Sequence, residues 1–141
     1  MLLVAFLLIG CQPSTPQTVT IVDGENIVAI QTEEGVPSAI LAVAGFTLAP
    51  EDRILVNGLH VSPDLPITNY PITLQLRRAV SITLSTSQGQ QTIQTSAFTV
   101  GEALQEAGIQ LRGGDKISQP IQSPVSSLQS PITIYQLLPL T

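Results

Sequence analysis

Three carboxylate pairs are the first residues whose type and spacing could do chemistry: Glu33 with Glu34, Glu51 with Asp52, and Glu102 with Glu106. Two carboxyl groups at a fixed separation, one with a raised pKa, are what glycoside cleavage needs. Glu102 and Glu106 share a helix face at i, i+4, but Thr99-Val-Gly-Glu102 has capping-box spacing, which assigns Glu102 to a helix cap and leaves Glu106 to solvent. Asp52 recurs as Asp115 at the same place in the other half of the chain, and a duplicated acid fits a turn-forming Asx role better than a unique active centre. His60 is the only histidine and follows the turn dipeptide Asn57-Gly58. With no second histidine and no nearby carboxylate triplet it does not make a zinc site. Ser62-Pro63 and Ser123-Pro124 lack a base, and Gly113-Gly114 lacks the strand and lysine context of a phosphate loop. These residues predict a chain that is not an enzyme, holds no metal or cofactor and takes no small-molecule substrate.

Cys11 points to a different chemistry. It is the only cysteine, so no intrachain disulfide forms. Leu8-Ile9-Gly10-Cys11 ends an apolar run in a small residue and then cysteine, the order of a bacterial lipoprotein signal, and a Pro/Ser/Thr tether follows from Gln12 to Gln17. The run is shorter than the roughly 20 apolar residues of a bilayer span and lacks the basic start of a signal. A diacylglyceryl group on Cys11 would attach the chain lastingly, since two acyl chains hold where one is marginal. The expected location is extracytoplasmic and membrane-anchored in the cell envelope, with the membrane as partner through the lipid. Ten acidic against five basic residues give a net charge of −5, which excludes tracking a nucleic acid backbone. An apolar fraction of 43% excludes a disordered chain. Peptidoglycan or another wall polymer is a further candidate partner. Past the tether the aromatics are Phe46, Phe98, Tyr70 and Tyr135; both Phe are assigned to cores beside helices, which leaves Tyr70, the freest, and Tyr135 for glycan binding. Arg77-Arg78 is a basic pair that could touch an anionic lipid or wall polymer.

The elements that position these residues form a repeat. At an offset of 63, Ala44-Gly45 falls on Ala107-Gly108, Ile30-Gln31-Thr32 falls on Ile93-Gln94-Thr95, and Asp52 on Asp115. After a three-residue deletion Pro71-Ile72-Thr73 falls on Pro131-Ile132-Thr133. Each copy reads strand, turn, strand, helix, strand, strand: β-branched runs flank Asp23-Gly24 in the first and Gly89 in the second, and Gly45 and Gly108 stop the helices. From Pro71 to Ser85 the even positions are Ile72, Leu74, Leu76, Arg78, Val80, Ile82 and Leu84, a period-two pattern with no turn signal inside it. The fold class expected is α+β, two tandem ββαββ modules sharing one long continuous strand. The boundaries are 1–17 for signal, lipidation site and tether, 18–79 for the first module and 80–138 for the second.

The hairpin, the helix ending Ala103-Leu-Gln-Glu-Ala-Gly-Ile109, the Leu111 to Asp115-Lys-Ile117 loop and the closing Pro131-Ile-Thr together resemble the family known as domain of unknown function 348. The first copy, Val36 to Phe46 and Asp52-Arg-Ile54, is more diverged. The resemblance implies a ubiquitin-like β-grasp fold over about Thr18 to Leu137 and a cell-surface setting, because family members stand in tandem ahead of five-glycine and murein-cleaving domains. It carries no catalytic residues. The expected function is a non-catalytic spacer or adhesion stalk of the cell envelope. Its alternatives are the N-terminal part of a murein-cleaving enzyme whose catalytic domain lies beyond this chain, or a weak wall-glycan-binding module.

Overall fold

The computed structural model describes Gly10, residues 14–128 and residues 131–136. In the first module β1 (Gln17–Asp23) and β2 (Asn26–Thr32) form a hairpin in which all seven residues pair, from Gln17 with Thr32 to Asp23 with Asn26. Gln17, assigned to the tether by sequence, is thus the first residue of the sheet. Gly24 makes the turn at φ +62°, a conformation that costs a residue without Cβ little. α1 (Pro37–Val43) follows, then β3 (Arg53–Val56), β4 (Leu59–Val61) and β5 (Ile72–Arg77). The sheet order is β2-β1-β5-β3-β4, with β1 and β5 parallel at the centre.

The second module comprises β6 (Val80–Thr86), β7 (Gly89–Thr95), α2 (Val100–Glu106), β8 (Lys116–Ile117), a 3-10 turn (Val125–Ser127) and β9 (Ile132–Tyr135). Its sheet runs β7-β6-β9-β8. This is the expected α+β pair of β-grasp modules, with one strand more in the first than the ββαββ reading gave. Two separate cores support it. Val19, Ile21, Ile40, Leu41 and Leu74 close one, and Leu84, Val100, Ala103, Leu104 and Ile132 the other. A seven-residue helix is too short to persist alone, so each depends on this apolar contact with its sheet. Both helices end the same way: Phe46 N–H donates to Leu41 and Ile109 N–H to Leu104, each at 2.9 Å, across a glycine at φ +82° or +74°. These are Schellman caps.

The offset holds element by element. β1 and β6 start at 17 and 80, β2 and β7 at 26 and 89, α1 and α2 at 37 and 100, β3 and β8 at 53 and 116, each a shift of 63 residues. The last strand departs from the sequence match. Ile21 pairs with Leu74 while its copy Leu84 pairs with Ile132, and Ile54 pairs with Leu76 while Ile117 pairs with Ile134. Leu74 and Leu76 therefore correspond to Ile132 and Ile134, a shift of 58 residues. The Pro-Ile-Thr tripeptides, aligned by sequence, are out of structural register by two positions.

The single shared strand is also corrected. β5 ends at Arg77 and β6 begins at Val80, and the two belong to different sheets. The chain leaves strand geometry at Arg78 and Ala79 because both are held elsewhere: Asp52 Oδ1 accepts the Ala79 N–H at 2.8 Å, and the Arg78 side chain is drawn to carboxylates of the first module.

Candidate functional site

The densest polar geometry lies where the modules meet, and three of the five basic residues build it. Arg53, first residue of β3, reaches from the first module to Glu102 and Glu106 on α2, one guanidinium nitrogen to each carboxylate. Glu106 also accepts from Thr95 Oγ1 at 2.7 Å, and Glu102 accepts from the Phe98 N–H at 2.9 Å while its own N–H donates to Thr99 Oγ1 at 3.2 Å. Arg77, last residue of β5, donates from Nε to Ser96 O at 2.6 Å and from Nη2 to Ala97 O at 2.7 Å, with its guanidinium 4.0 Å from the centre of the Phe98 ring. Cation–π contact of this kind contributes about 0.5–2 kcal/mol, more as water is excluded. Arg78 turns back into its own module, pairing with Asp23 at 2.7 Å and Asp52 at 2.8 Å and donating to Thr47 O.

The electrostatics follow from these contacts. The Asp52 side chain is only 4% exposed. Burial pushes its carboxyl up, but the N–H groups of Ala79 and Ala49 and the Arg78 guanidinium prevail and hold it below its ordinary value. For Glu102, burial again opposes and is overcome by Arg53 and the Phe98 N–H, leaving its pKa lowered. Hydrogen bonds from Arg78 to Asp23 and then Asp52 raise the arginine further still. With their pKa values lowered, the Asp52 and Glu102 carboxylates are ionised near neutrality and engaged by arginine.

Asp52 and Asp115 are the turn-formers expected, accepting the N–H of Ala49 at 3.0 Å and of Arg112 at 2.8 Å. Glu102 is at the helix start as expected; Glu106 is not simply solvated but paired with Arg53. Phe98, assigned to a core, is 42% exposed and serves the junction. Arg77 and Arg78 are engaged within the protein and do not form an outward basic patch. Tyr70 is half-buried against the first core, its hydroxyl 3.5 Å from Glu34 O and its pKa raised by that burial, while Tyr135 on β9 is the more open at 61% exposed. The two tyrosines belong to different modules. His60 lies exposed on β4 at a cleft of about 520 Å³ between the modules, shared with Pro50, Gln94, Ser96 and Glu106. Cys11 lies outside the described residues. Among the described residues no three His, Cys, Asp or Glu side chains gather as metal ligands, and no helix is long and apolar enough to cross a membrane.

Residues 88–121 match the G5-linked ubiquitin-like domain, domain of unknown function 348. The matched span contains β7, α2 and β8, the part of the second module that receives Arg53 and Arg77. No curated protein matches the chain. The first module carries the same order of strands and helix as the G5-linked ubiquitin-like segment, shifted by 63 residues. The sequence missed Arg53 as a junction residue because its partners stand 49 and 53 positions away, beyond any local spacing rule. The one available signal was that Arg53 directly follows Asp52, an acid repeated in both copies.

Proposed function

We propose that the protein is a lipid-anchored spacer of the bacterial cell envelope, attached through Cys11 and holding its second module at a set distance and orientation from the membrane. The observation that carries this reading is the arginine junction: a chain meant to let its modules move freely has no need of Arg53, Arg77 and Arg78 fixed across and beside a two-residue link. A lipoprotein-like Leu8-Ile9-Gly10-Cys11 supplies the anchor in this reading. The engaged state of the carboxylates at the junction favours a mechanical over a catalytic role for the residues present.

Two measurements test it. Metabolic labelling with a fatty acid should mark the wild type and not Cys11→Ala; label on both, or on neither, removes the anchor. Small-angle scattering should give one extended particle for the wild type and a broader, more flexible distance distribution for the Arg53→Ala/Arg77→Ala double variant. Identical curves would show that the junction does not set the shape. The description of the matched family as G5-linked favours a second reading, in which the stalk is one part of a longer wall-associated protein. An open reading frame continuing into a murein-cleaving domain would establish it.

A further inference from the structure

The Arg78 cluster at the end of the first module has a counterpart in the second, where Asp52 is kept as Asp115 but the ion pair of Asp23 with Arg78 is replaced by uncharged residues. Strand register makes Thr86 the equivalent of Asp23; Gln136, one residue beyond Tyr135 as Arg78 is beyond Arg77, is the equivalent of Arg78; and the 63-residue offset that relates the two helix stops makes Gln110 the equivalent of Thr47. In the first module Arg78 closes on Asp23 through an ion pair and on Thr47 O through a hydrogen bond. In the second the equivalent residues stand around an open cleft of about 550 Å³, extended by Gln88, Gln90 and Arg112. We propose that this cleft is a binding site for an uncharged glycan chain bearing hydroxyl and acetamido groups.

The chemistry selects that class. A primary amide carries two N–H donors and an acceptor with two lone pairs and no charge, so the five glutamines of the lining, Gln91 among them, offer both halves of the hydrogen bonds that sugar hydroxyls and acetamido groups make. An anionic ligand would find a single cation, Arg112, on a protein of net charge −5. Ile109 in the lining supplies an apolar patch for the C–H face of a ring. The volume is within the roughly 300–1,000 Å³ of small-ligand clefts. Neither tyrosine lines the cleft, so the site is distinct from the aromatic positions the sequence suggested, and it does not depend on the lipid anchor.

The test is an NMR titration of the 15N-labelled full chain with N,N′,N″-triacetylchitotriose and, separately, with a sulfated dextran. Saturable shifts at the side-chain amides of Gln88, Gln110 and Gln136 are expected with the chitotriose, with a dissociation constant of about 1 mM or tighter. The Thr86→Asp/Gln136→Arg variant, which rebuilds the ion pair of the first module, should weaken binding about tenfold or more at unchanged thermal stability. Should it fail to fold, the exposed Gln110→Ala serves in its place with the same expectation. Absence of saturable shifts, shifts confined to the first module, full affinity in the variants, or preference for the sulfated polymer would each overturn the proposal. None of these outcomes bears on fatty-acid labelling at Cys11.

Discussion

The far ends of the two modules sit on the same scaffold and are finished in opposite ways. In the first, Asp23, Asp52 and Arg78 satisfy one another, while Arg53 and Arg77 beside them take hold of the next module. In the second, the positions of Arg53 and Arg77 are held by Lys116 and Tyr135, which pair with each other across β8 and β9 just as the two arginines pair across β3 and β5. The backbone frame and the Asp52/Asp115 turn are thus duplicated, and the arginine chemistry around them is not. The receiving side is asymmetric too: the first-module equivalents of Glu102, Glu106 and Phe98 are Ala39, Val43 and Gly35, with no charge and no ring. One module is equipped to grip and the other to be gripped, so the pairing has a direction.

The largest effects should come from the two cores and should stay local. Leu74 and Ile132 are both fully buried and occupy equivalent positions by strand register. Leu74→Ala and Ile132→Ala should each cost about 2–5 kcal/mol. Because the cores are separate, each variant should unfold its own module first, visible as two steps in denaturant-dependent amide NMR signals. A single cooperative loss of both modules would show that the junction fuses them into one folding unit. Next in size is Arg78→Ala, which leaves the buried Asp52 carboxylate without its ion-pair partner. The cost expected in urea unfolding of the first module is about 1–2 kcal/mol, discounted because Arg78 is 40% exposed. Gln136→Ala, at the equivalent position, should stay within about 0.5 kcal/mol. Equal losses would erase the contrast between the two ends.

Much of this frame was legible in the residues because burial imposes a period. The offset of 63 related both hairpins and both helices, with strand ends one or two residues beyond the expected ones, and Gly45 and Gly108 mark helix stops that backbone geometry requires. The shared strand was misread for a physical reason. A two-residue break preserves a period of two, so Leu76 and Ile82 face their own cores with the same parity whether or not the strand between them is continuous. The Pro-Ile-Thr alignment failed because parallel pairing with β1 and β6 sets register, and three matching residues carry less constraint than that ladder. The grip of Arg53 and Arg77 was illegible because an isolated arginine reads as surface until the fold brings acceptors 19 to 53 residues away beside it.

Acidification should loosen the grip before it melts the cores. Asp52 and Glu102 have pKa values lowered from ordinary values of 3.8 and 4.5. A group lowered on folding contributes stability above its unfolded pKa and loses that contribution as the pH falls through its folded one. The junction is therefore insensitive to pH near neutrality and weakens only as the pH falls below those ordinary values. 15N relaxation should show the modules tumbling together at neutral pH and with separate correlation times in strong acid, with β-sheet amide shifts retained. One correlation time throughout would mean that the ion pairs do not hold the modules together.

The smallest contrast lies at the helix starts, and it can be reversed by exchange. Thr99 caps α2 by accepting the Glu102 N–H, whereas Val36 at the same position of α1 makes no side-chain cap and leaves the first turn to Pro37. Both residues have extended backbone, at φ −105° and −123°, so either accommodates a threonine or a valine without strain. Thr99→Val should cost the second module about 1 kcal/mol, the value of a lost N-cap. Val36→Thr should stabilise the first by about 0.5 kcal/mol, less because the threonine gives up apolar contact made by the half-buried valine. Denaturant midpoints of the two single variants measure both signs. If Val36→Thr instead destabilises the first module, then Val36, which is half-buried, contributes packing that outweighs the missing cap.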